Sequence, residues 1–336
     1  MRILVAGGAG FIGSAFVRFT LSEYPGDEVV VIDKLTYAGN LENLAGLDGL
    51  PNYEFRLGDI CDQSAVRDAI ASCQAVVNFA AETHVDRSLM DADAFIRTDV
   101  YGVYSLLEAC RSGSVPVDRF VQISTDEVYG PQLEGEAVEE STLNPTNPYA
   151  ASKAGGELLA MAYHRSFGVP VMVVRGSNNM GPRQHPEKFI PLLITNALED
   201  KELPIYGDGL YVREWIHVED FVRGVDAVLR KGTPGQVYNI GGGPENRRTQ
   251  LEVAHAVLDL LGKPKSLIRH VADRPGHDRR YAMRSDKVQM LGWRRELDFA
   301  RAIEATVQWY CDNPSWWKKV RSGEYEEYYR RLYGRR

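Results

Sequence analysis

Short runs of apolar residues, rich in valine and isoleucine, recur along the first 175 residues of the chain. They lie at 2–6, 29–32, 75–79, 120–123 and 171–174. Stretches with helical spacing, such as 11–24 and 95–111, lie between several of these runs. Continuous apolar strands that alternate with helices are typical of a parallel sheet covered on both faces.

Because parallel strands are joined by right-handed crossovers, this alternation favours a doubly wound, Rossmann-type α/β sheet. Beyond residue 176, glycine and proline interrupt the pattern, for example at Gly181-Pro182 and Pro275-Gly276, as in a looser lobe that closes over a ligand. The predicted domains are a Rossmann domain over 1–175, with return segments near 215–242 and 290–312, and a smaller C-terminal α/β lobe over 176–336. The basic end of the chain, 328–336, is expected to be a solvated helix.

Composition narrows the class of protein. The chain has 336 residues, with 44% hydrophobic and 25% charged residues, which is ordinary usage for a globular protein and excludes disordered, collagen-like and disulfide-rich chains. Its 39 basic and 46 acidic residues give a net charge of -7. Since binding to phosphate backbones needs a basic face, nucleic acid is not expected as a partner.

The cysteines and the apolar runs indicate where the protein works. The four cysteines (Cys61, Cys73, Cys110 and Cys311) are far apart and form no CxxC pair, so no metal site or disulfide is predicted. The apolar N-terminal run is too short for a signal peptide, and no apolar stretch is long enough to span a membrane. We therefore expect a cytoplasmic protein with reduced thiols and no membrane partner.

A glycine-rich segment follows the first predicted strand and opens the first predicted helix. In Gly7-Gly8-Ala9-Gly10-Phe11-Ile12-Gly13, Gly7 permits a tight turn, Gly10 lets the backbone approach a pyrophosphate, and Gly13 lets the helix pack closely. Asp33 ends the second strand, 20 residues after Gly13, where a carboxylate accepts from a ribose 2′-hydroxyl and repels a 2′-phosphate. The segment predicts an NAD site, with Asp59 and Ile60 as candidates for the adenine edge.

Two further clusters carry candidate chemistry. Tyr149 and Lys153 have the i, i+4 spacing that places both on one helix face. For Tyr149 to act as a base near neutral pH, its pKa must fall by about three units, roughly 4 kcal/mol, and nearby positive charge from Lys153 and a nicotinamide could supply this.

The second cluster is Thr125-Asp126-Glu127, which follows a predicted strand. Neighbouring residues within a strand point to opposite faces, so both acids can serve one substrate only where the strand ends. Such a pair can donate one proton and remove another if the two environments separate the pKa values.

These residues resemble the extended short-chain dehydrogenase/reductase family and, within it, the nucleotide-sugar 4,6-dehydratases. The resemblance covers nearly the whole chain, and its motifs lie at 7–13, 80–88, 124–130, 149–153, 175–179, 186–191, 238–242 and 273–278. The Thr-Asp-Glu triplet is the most specific of them, because the related 4-epimerases lack the acid pair.

The resemblance implies a reaction and roles for its residues. Tyr149, with Lys153, would remove the proton of the hexose 4-hydroxyl while a hydride passes from C4 to NAD. Glu127 would then remove the C5 proton as Asp126 protonates the leaving 6-hydroxyl, and Thr125 would hold the 4-oxygen. Return of the hydride to C6 would give a 4-keto-6-deoxy sugar, with dTDP-glucose as the expected substrate.

The resemblance also implies binding residues. Those for NAD are Gly7, Gly10, Phe11, Ile12, Gly13, Asp33, Lys34, Asp59, Ile60, Phe79, Ala80, Ala81, Thr83, Thr98, Tyr149, Lys153 and Asn179. Those for the sugar nucleotide are Thr83, Thr125, Asn178, Lys188, Phe189, Pro204, Ile205, Tyr206, Arg213, Gln250, Arg274 and His277. The chain departs from the usual pattern at Ala6, Asp99, Met180 and Gln250, of which Asp99 stands where asparagine is common.

Three alternatives stay open at this point. UDP-glucose could replace dTDP-glucose as the substrate of the same reaction. A nucleotide-sugar 4-epimerase needs only the tyrosine, the lysine and the cofactor, and a nucleotide-sensing protein needs no turnover at all. Small residues on the helix of Tyr149, together with the family resemblance, also lead us to expect a homodimer.

Overall fold

The computed structural model describes residues 1–113 and 117–321 and is built around one large parallel sheet. Its seven strands have the order β10-β6-β5-β4-β1-β2-β3, and every neighbouring pair is parallel. The strands are β1 (Arg2–Ala6), β2 (Glu28–Asp33), β3 (Tyr53–Leu57), β4 (Ala75–Asn78), β5 (Arg119–Thr125), β6 (Val171–Gly176) and β10 (Val237–Ile240). The doubly wound Rossmann-type prediction is confirmed.

Helices cover both faces of this sheet. They are α1 (Phe11–Glu23), α2 (Gln63–Ile70), α3 (Val85–Met90), α4 (Asp93–Ile96), α5 (Val103–Ser112), α6 (Pro148–Phe167) and α8 (Val218–Lys231). One buried cluster joins α1 and α8 to the sheet, and another joins α2, α5 and α6 to its opposite face. Because both faces are buried, the strands are apolar along their whole length, as the sequence pattern indicated.

Local sequence explains where α6, the helix of Tyr149, begins and ends. The Asn147 side chain accepts a hydrogen bond from the Ala150 N–H, and Pro148 occupies the first turn, where its missing N–H costs nothing. Gly168 ends the helix in a left-handed conformation that favours glycine. These signals set the bounds of the helix at Pro148 and Phe167.

The stretch 95–111, expected as one helix, is interrupted. Between α4 and α5 the chain forms a π-helical turn, Arg97–Gly102, which displaces the following residues relative to a regular helix. The turn packs against α6 and buries Thr98 and Asp99. Helical spacing in the sequence does not distinguish such a turn from a continuous α-helix.

The second lobe has its own core. It contains β7 (Asn178–Met180), β8 (Leu203–Tyr206), β9 (Val212–His217), β11 (Arg247–Thr249), β12 (Ile268–Val271), α7 (Phe189–Leu198), α9 (Gln250–Leu261), α11 (Phe299–Asp312) and α12 (Pro314–Val320). Helix α10 (Asp286–Gln289) instead packs against α8 and β10 of the large sheet. The strands form two small sheets, β11-β9-β7 and β12-β8. A buried cluster unites α7, α9, α11 and α12.

The return segments follow different courses. Helix α8 and strand β10, within 215–242, lie with the large sheet. Within 290–312, Leu291 and Trp293 pack against the large-sheet cluster, but α11 packs its apolar face into the second-lobe core beside α7 and α9. Of the return segment expected near 290–312, the start thus packs on the large sheet, and the division of the chain into domains stays a prediction.

Three observations concern the expected surroundings of the protein. All four cysteines are free thiols. Within 1–113 and 117–321, no helix is both long and apolar enough to cross a bilayer, and no group of three or more His, Cys, Asp or Glu side chains could hold a metal ion. The basic end at 328–336 lies outside the described residues.

Candidate active site

A deep cavity runs along the carboxyl ends of the central strands and continues beneath the second lobe, which is where open α/β sheets bind ligands. Most of the predicted site residues line it together. They are Gly7, Gly10, Phe11, Ile12, Gly13, Asp33, Lys34, Ile60, Phe79, Ala80, Ala81, Thr83, Thr98, Thr125, Asp126, Glu127, Tyr149, Lys153, Asn178, Asn179, Lys188, Phe189 and Arg274.

The glycine loop has no space for larger residues. Gly7 has a φ of 75°, and a Cβ there would lie 2.5 Å from the Ala80 nitrogen. A Cβ at Gly13 would collide with the Gly7 carbonyl oxygen. The loop ends at Gly10, the N-cap of α1. The first N–H groups of this helix have no partner within the helix and favour an anion such as a pyrophosphate.

Asp33 lies where the sequence placed it, at the end of β2, and its carboxylate lines the cavity. One oxygen accepts from the Ala9 N–H at 3.0 Å and the other accepts from the Leu35 N–H at 2.8 Å. Burial raises the pKa of Asp33, and these two hydrogen bonds oppose that rise. The acid remains available to a ribose hydroxyl while it holds the glycine loop.

Lys34 contacts two other residues of the cavity wall, Thr98 and Glu82. Its ammonium donates to Thr98 Oγ1 at 3.2 Å and lies 3.5 Å from a Glu82 carboxylate oxygen. Ile60 lines the cavity beside it, whereas Asp59 lies outside the lining and accepts from the Cys61 N–H. Of the two candidates for the adenine edge, the structure brings only Ile60 to the cavity.

Tyr149 and Lys153 line the cavity from one face of α6, as their spacing predicted. Burial raises the pKa of Tyr149 well above its usual value, and the charges of Glu127 and Asp99 raise it further. Burial lowers the pKa of Lys153. Burial and the neighbouring acids therefore move the pKa of Tyr149 away from neutrality, and the expected lowering by Lys153 and a bound nicotinamide stays a prediction.

The two acids diverge where β5 ends, because Asp126 begins a short 3-10 helix, Asp126–Tyr129. Asp126 is 4% exposed, and its Oδ2 is a buried oxygen without a hydrogen-bond partner among the described residues. Burial raises its pKa well above the ordinary value, and repulsion from Glu127 and Glu214 adds to the rise. The surroundings of Asp126 thus favour its protonated form.

Glu127 is held differently from its neighbour. Its backbone N–H donates to Thr125 Oγ1 at 3.2 Å, and its carboxylate accepts from the Tyr281 hydroxyl at 3.3 Å and from the Asn147 amide at 3.5 Å. The Tyr281 hydroxyl also lies 2.8 Å from an Asp278 oxygen. The two adjacent acids therefore differ in their surroundings. Asp126 is buried with one oxygen, Oδ2, that has no partner among the described residues, whereas Glu127 is hydrogen-bonded, and this difference suits different roles.

A buried charged group forms the wall near the second lobe. Lys188 donates to Thr83 Oγ1 at 2.8 Å, and the neighbouring Glu187 accepts from Arg87 Nε at 2.8 Å. Burial, the largest single effect, raises the pKa of Glu187, but His84, His185, Lys188 and Arg87 together lower it to about 2. The carboxylate therefore stays charged and balances the cations that face the cavity.

The remaining predicted substrate residues divide into two groups. Arg274 lines the cavity and bonds to Asp86 at 3.0 Å, whereas Arg213 lies just behind it, with its guanidinium 4.3 Å from the Tyr281 ring centre. Pro204, Ile205, Tyr206, Gln250 and His277 do not line the cavity. Ile205 is fully buried in the second-lobe core, and His277 stacks on Tyr211. The role of these residues and of Arg213 stays a prediction.

Sequence reasoning missed several groups at the site. Tyr281 and Asn147 contact Glu127, and His84 and Glu187 lie beside Lys188 and Thr83. His84 and Glu187 fall inside recognised motifs, so motif membership could have indicated them. Tyr281 is 154 residues from Glu127, and no local pattern signals that contact.

Comparison with known proteins agrees with this geometry. The sequence profile of the family described as "GDP-mannose 4,6 dehydratase" matches residues 4–306. The chain belongs to this family. The matched residues include both the large sheet and most of the second lobe.

Family relatives resemble the chain over nearly its full length. The dTDP-glucose 4,6-dehydratase of Streptomyces niveus is 50% identical over 327 residues, covering 96% of each chain. The crystal structure of DesIV, a dTDP-glucose 4,6-dehydratase from Streptomyces venezuelae with NAD and TYD bound, has a TM-score of 0.92 and 48% identity, covering 95% of this chain and 100% of that one. A UDP-glucuronic acid 4-epimerase from Bacillus cereus has a TM-score of 0.86 with 28% identity, over 93% of this chain and 99% of its own.

Proposed function

We propose that the chain is an NAD-dependent lyase that dehydrates a nucleotide-activated glucose, dTDP-glucose, to the 4-keto-6-deoxy sugar. The observation that carries this proposal is the buried Asp126, whose pKa is raised, beside the hydrogen-bonded Glu127 in the same cavity as Tyr149 and Lys153. A 4-epimerase has no need of an acid and a base at this position. Relatives at about half identity with the dehydratase activity support the same reading.

The residues around the glycine loop fit an NAD molecule. Gly7 and Gly13 leave space for a close approach at the N-terminus of α1, and Asp33 is suited to a ribose 2′-hydroxyl but not to a phosphate. When bound, the oxidised cofactor supplies a hydride acceptor for C4, the hydride returned to C6, and a positive charge that lowers the pKa of Tyr149. The chain's own residues supply every proton transfer.

The first step is oxidation at C4. Tyr149 removes the proton of the 4-hydroxyl, and Lys153, on the same face of α6, stabilises the phenolate by its charge. The Thr125 hydroxyl, which holds the Glu127 N–H, is placed at the end of β5 to bond the 4-oxygen. The resulting ketone makes the C5 proton acidic enough for a carboxylate to remove.

The second step is loss of water across C5 and C6. Glu127 removes the C5 proton, while Asp126, whose pKa burial raises, donates its proton to the leaving 6-hydroxyl. Water leaves and a C5–C6 double bond forms. After hydride return to C6, Glu127 gives its proton back to C5, so no net oxidation occurs. Tyr149 has then gained one proton and Asp126 has lost one, and exchange with solvent restores both groups for the next turnover.

Cations in the second lobe suit the nucleotide diphosphate. Arg274 lines the cavity, the buried Arg213 interacts electrostatically with Arg274, and the half-buried Lys188 donates to Thr83. Planar guanidinium groups match phosphate oxygens well. We assign Pro204, Tyr206 and His277 to the nucleotide side on family resemblance. For Tyr206 a contact supports this assignment, because its hydroxyl lies 3.4 Å from Asp86, the partner of Arg274.

One experiment tests the function. The purified chain is incubated with dTDP-glucose and UDP-glucose in parallel, and mass spectrometry follows loss of water while absorbance follows NADH. We expect a dehydrated 4-keto product, faster from dTDP-glucose, without net NADH. A product that keeps its mass and inverts C4 would assign an epimerase, and no turnover with tight NAD binding would assign a nucleotide-binding protein.

We also propose a cytoplasmic homodimer. Apolar side chains are exposed on two adjacent helical segments: Ile96 at 52%, Tyr101 at 47% and Leu158 at 59%. A contiguous apolar face of this kind marks an interface. Light scattering should give a dimer, Leu158→Arg should shift it toward monomer, and Leu210→Arg, on another exposed leucine, should not. A monomeric unmodified chain would refute the dimer.

A further inference from the structure

A buried carboxylate lies beside the reactive face of α6. Tyr149, Ser152, Lys153 and Gly156 share that face, because residues three and four apart are neighbours on a helix. The π-helical turn Arg97–Gly102 packs against it, and a Cβ at Gly156 would collide with the Asp99 carbonyl oxygen. The absence of a side chain at Gly156 thus lets the two segments approach closely.

The Asp99 carboxylate has a defined position in this contact. It is 2% exposed, and it accepts from the Ser152 hydroxyl at 2.6 Å and from the Glu82 N–H at 3.0 Å. Both donors are neutral, so neither hydrogen bond cancels its charge. The carboxylate is therefore fixed in place by neutral donors, one of which, Ser152, directly precedes Lys153 in the chain.

The charged groups around Asp99 leave Lys153 as its main partner. On α6, Tyr149 and Lys153 interact electrostatically with Asp99, and Glu157 interacts with Lys153. In the loop after β4, Glu82 also interacts with Asp99. Glu157 is already paired through both oxygens with Arg175, and Glu82 lies near Lys34. Asp99 is thus the carboxylate left to balance the buried Lys153 ammonium.

We propose that Asp99 is a positioning residue whose negative charge keeps Lys153 protonated in the cavity and thereby sets the pH range in which Tyr149 and Lys153 act. Burial lowers the pKa of Lys153, and Asp99 is the strongest of the groups that oppose this effect. Burial also raises the pKa of Asp99 to about 6, so its charge is lost in mildly acidic solution. Only the kinetic test of this proposal depends on the proposed function.

Asp99→Asn is a suitable perturbation because it removes the charge and keeps the shape. The amide oxygen can accept from the Glu82 N–H, and the amide nitrogen can donate to Ser152, whose hydroxyl then donates to the Tyr149 carbonyl oxygen, already 2.8 Å away. Asp93→Asn is the matched control, since Asp93 is exposed on the adjoining α4 and pairs only with Arg97 across the helix surface.

The direct measurement does not require turnover. The holoenzyme, labelled at lysine side chains, is titrated by NMR, and Lys153→Arg identifies the Lys153 signal. We expect its midpoint to fall by about one to three pH units in Asp99→Asn and to stay unchanged in Asp93→Asn. In the unmodified protein, the same signal should show a second inflection near the pKa of Asp99, about 6. This inflection tests the proposal even if the variant folds poorly.

The pH profile of turnover gives the second readout. Removing the charge lowers the pKa of both Lys153 and Tyr149, so both limbs of the kcat profile should move to lower pH in Asp99→Asn. Below about pH 6 the two proteins should converge, because Asp99 is then neutral in both. An unmoved Lys153 midpoint would overturn the proposal. A shifted midpoint in a chain that dehydrates no hexose would overturn the proposed function instead.

Discussion

Asp126→Asn separates the two chemical steps. The amide keeps the size of the side chain and can accept from Thr125, but it has no proton to give to the 6-hydroxyl. A general acid contributes about 10²–10⁴ in rate. Since Asp126 is 4% exposed, water cannot easily replace it, and we expect a loss of about 10³ or more in dehydration, roughly 4 kcal/mol.

Rapid mixing of the variant with NAD⁺ and dTDP-glucose measures both steps. Oxidation at C4 should persist, so NADH absorbance should rise and remain, whereas the unmodified enzyme should show only a transient signal. Asp118→Asn, at the exposed start of the same strand segment, should behave as the unmodified enzyme. If Asp126→Asn dehydrates the substrate at the normal rate, the assignment of the acid is wrong.

Stability distinguishes a chemical defect from a folding defect in this variant. The pKa of Asp126 is raised in the folded chain, so the folded state holds a proton that the unfolded state releases. Stability from this group is therefore present below the ordinary pKa, about 4, and is lost as pH rises. The Asn variant escapes that loss, so its thermal midpoint at neutral pH should equal or exceed that of the unmodified chain, and the difference should close in acid.

Three other changes have expected outcomes. Tyr149→Phe should lower C4 oxidation by about 10²–10⁴ with little change in substrate affinity, as measured by single-turnover NADH formation and calorimetry; normal oxidation would exclude Tyr149 as the base. Gly13→Ala should weaken NAD binding at least about tenfold and cost about 1–3 kcal/mol in unfolding, because its methyl group meets the Gly7 carbonyl; unchanged binding would contradict the close packing. Glu187→Gln should destabilise the fold at neutral pH by about 3 kcal/mol, because the carboxylate pKa is held near 2, and the difference should shrink as pH falls from about 4.5 toward 2; a pH-independent difference in urea unfolding would contradict it.

Local patterns were sufficient for the scaffold and for the reacting groups. Apolar runs of valine and isoleucine predicted the parallel sheet, because strands buried on both faces must be apolar throughout. The need for two adjacent acids to serve one substrate predicted that Asp126 and Glu127 lie where a strand ends, and β5 ends at Thr125, two residues beyond the predicted run 120–123. The helical spacing of Tyr149 and Lys153 placed both in the cavity. Each of these inferences depends on residues close together in sequence.

The features that sequence reasoning missed depend on tertiary contacts. Tyr281 reaches Glu127 from 154 residues away, and only packing of the second lobe brings them together. The π-helical turn at Arg97–Gly102 has the same residue types as a regular helix. The pKa of Tyr149 rises because of burial and the charges of neighbouring acids, and neither burial nor distance can be obtained from spacing alone.

The double hydrogen bonding of Asp33 constrains any redesign of cofactor preference. The acid that would exclude a phosphorylated ribose also ties the glycine loop, through Ala9, and the start of the next loop, through Leu35, to the end of β2. A neutral or basic replacement chosen to admit a 2′-phosphate would also release both backbone N–H groups. Engineering toward NADP would therefore have to rebuild the anchoring of that loop as well as invert its charge.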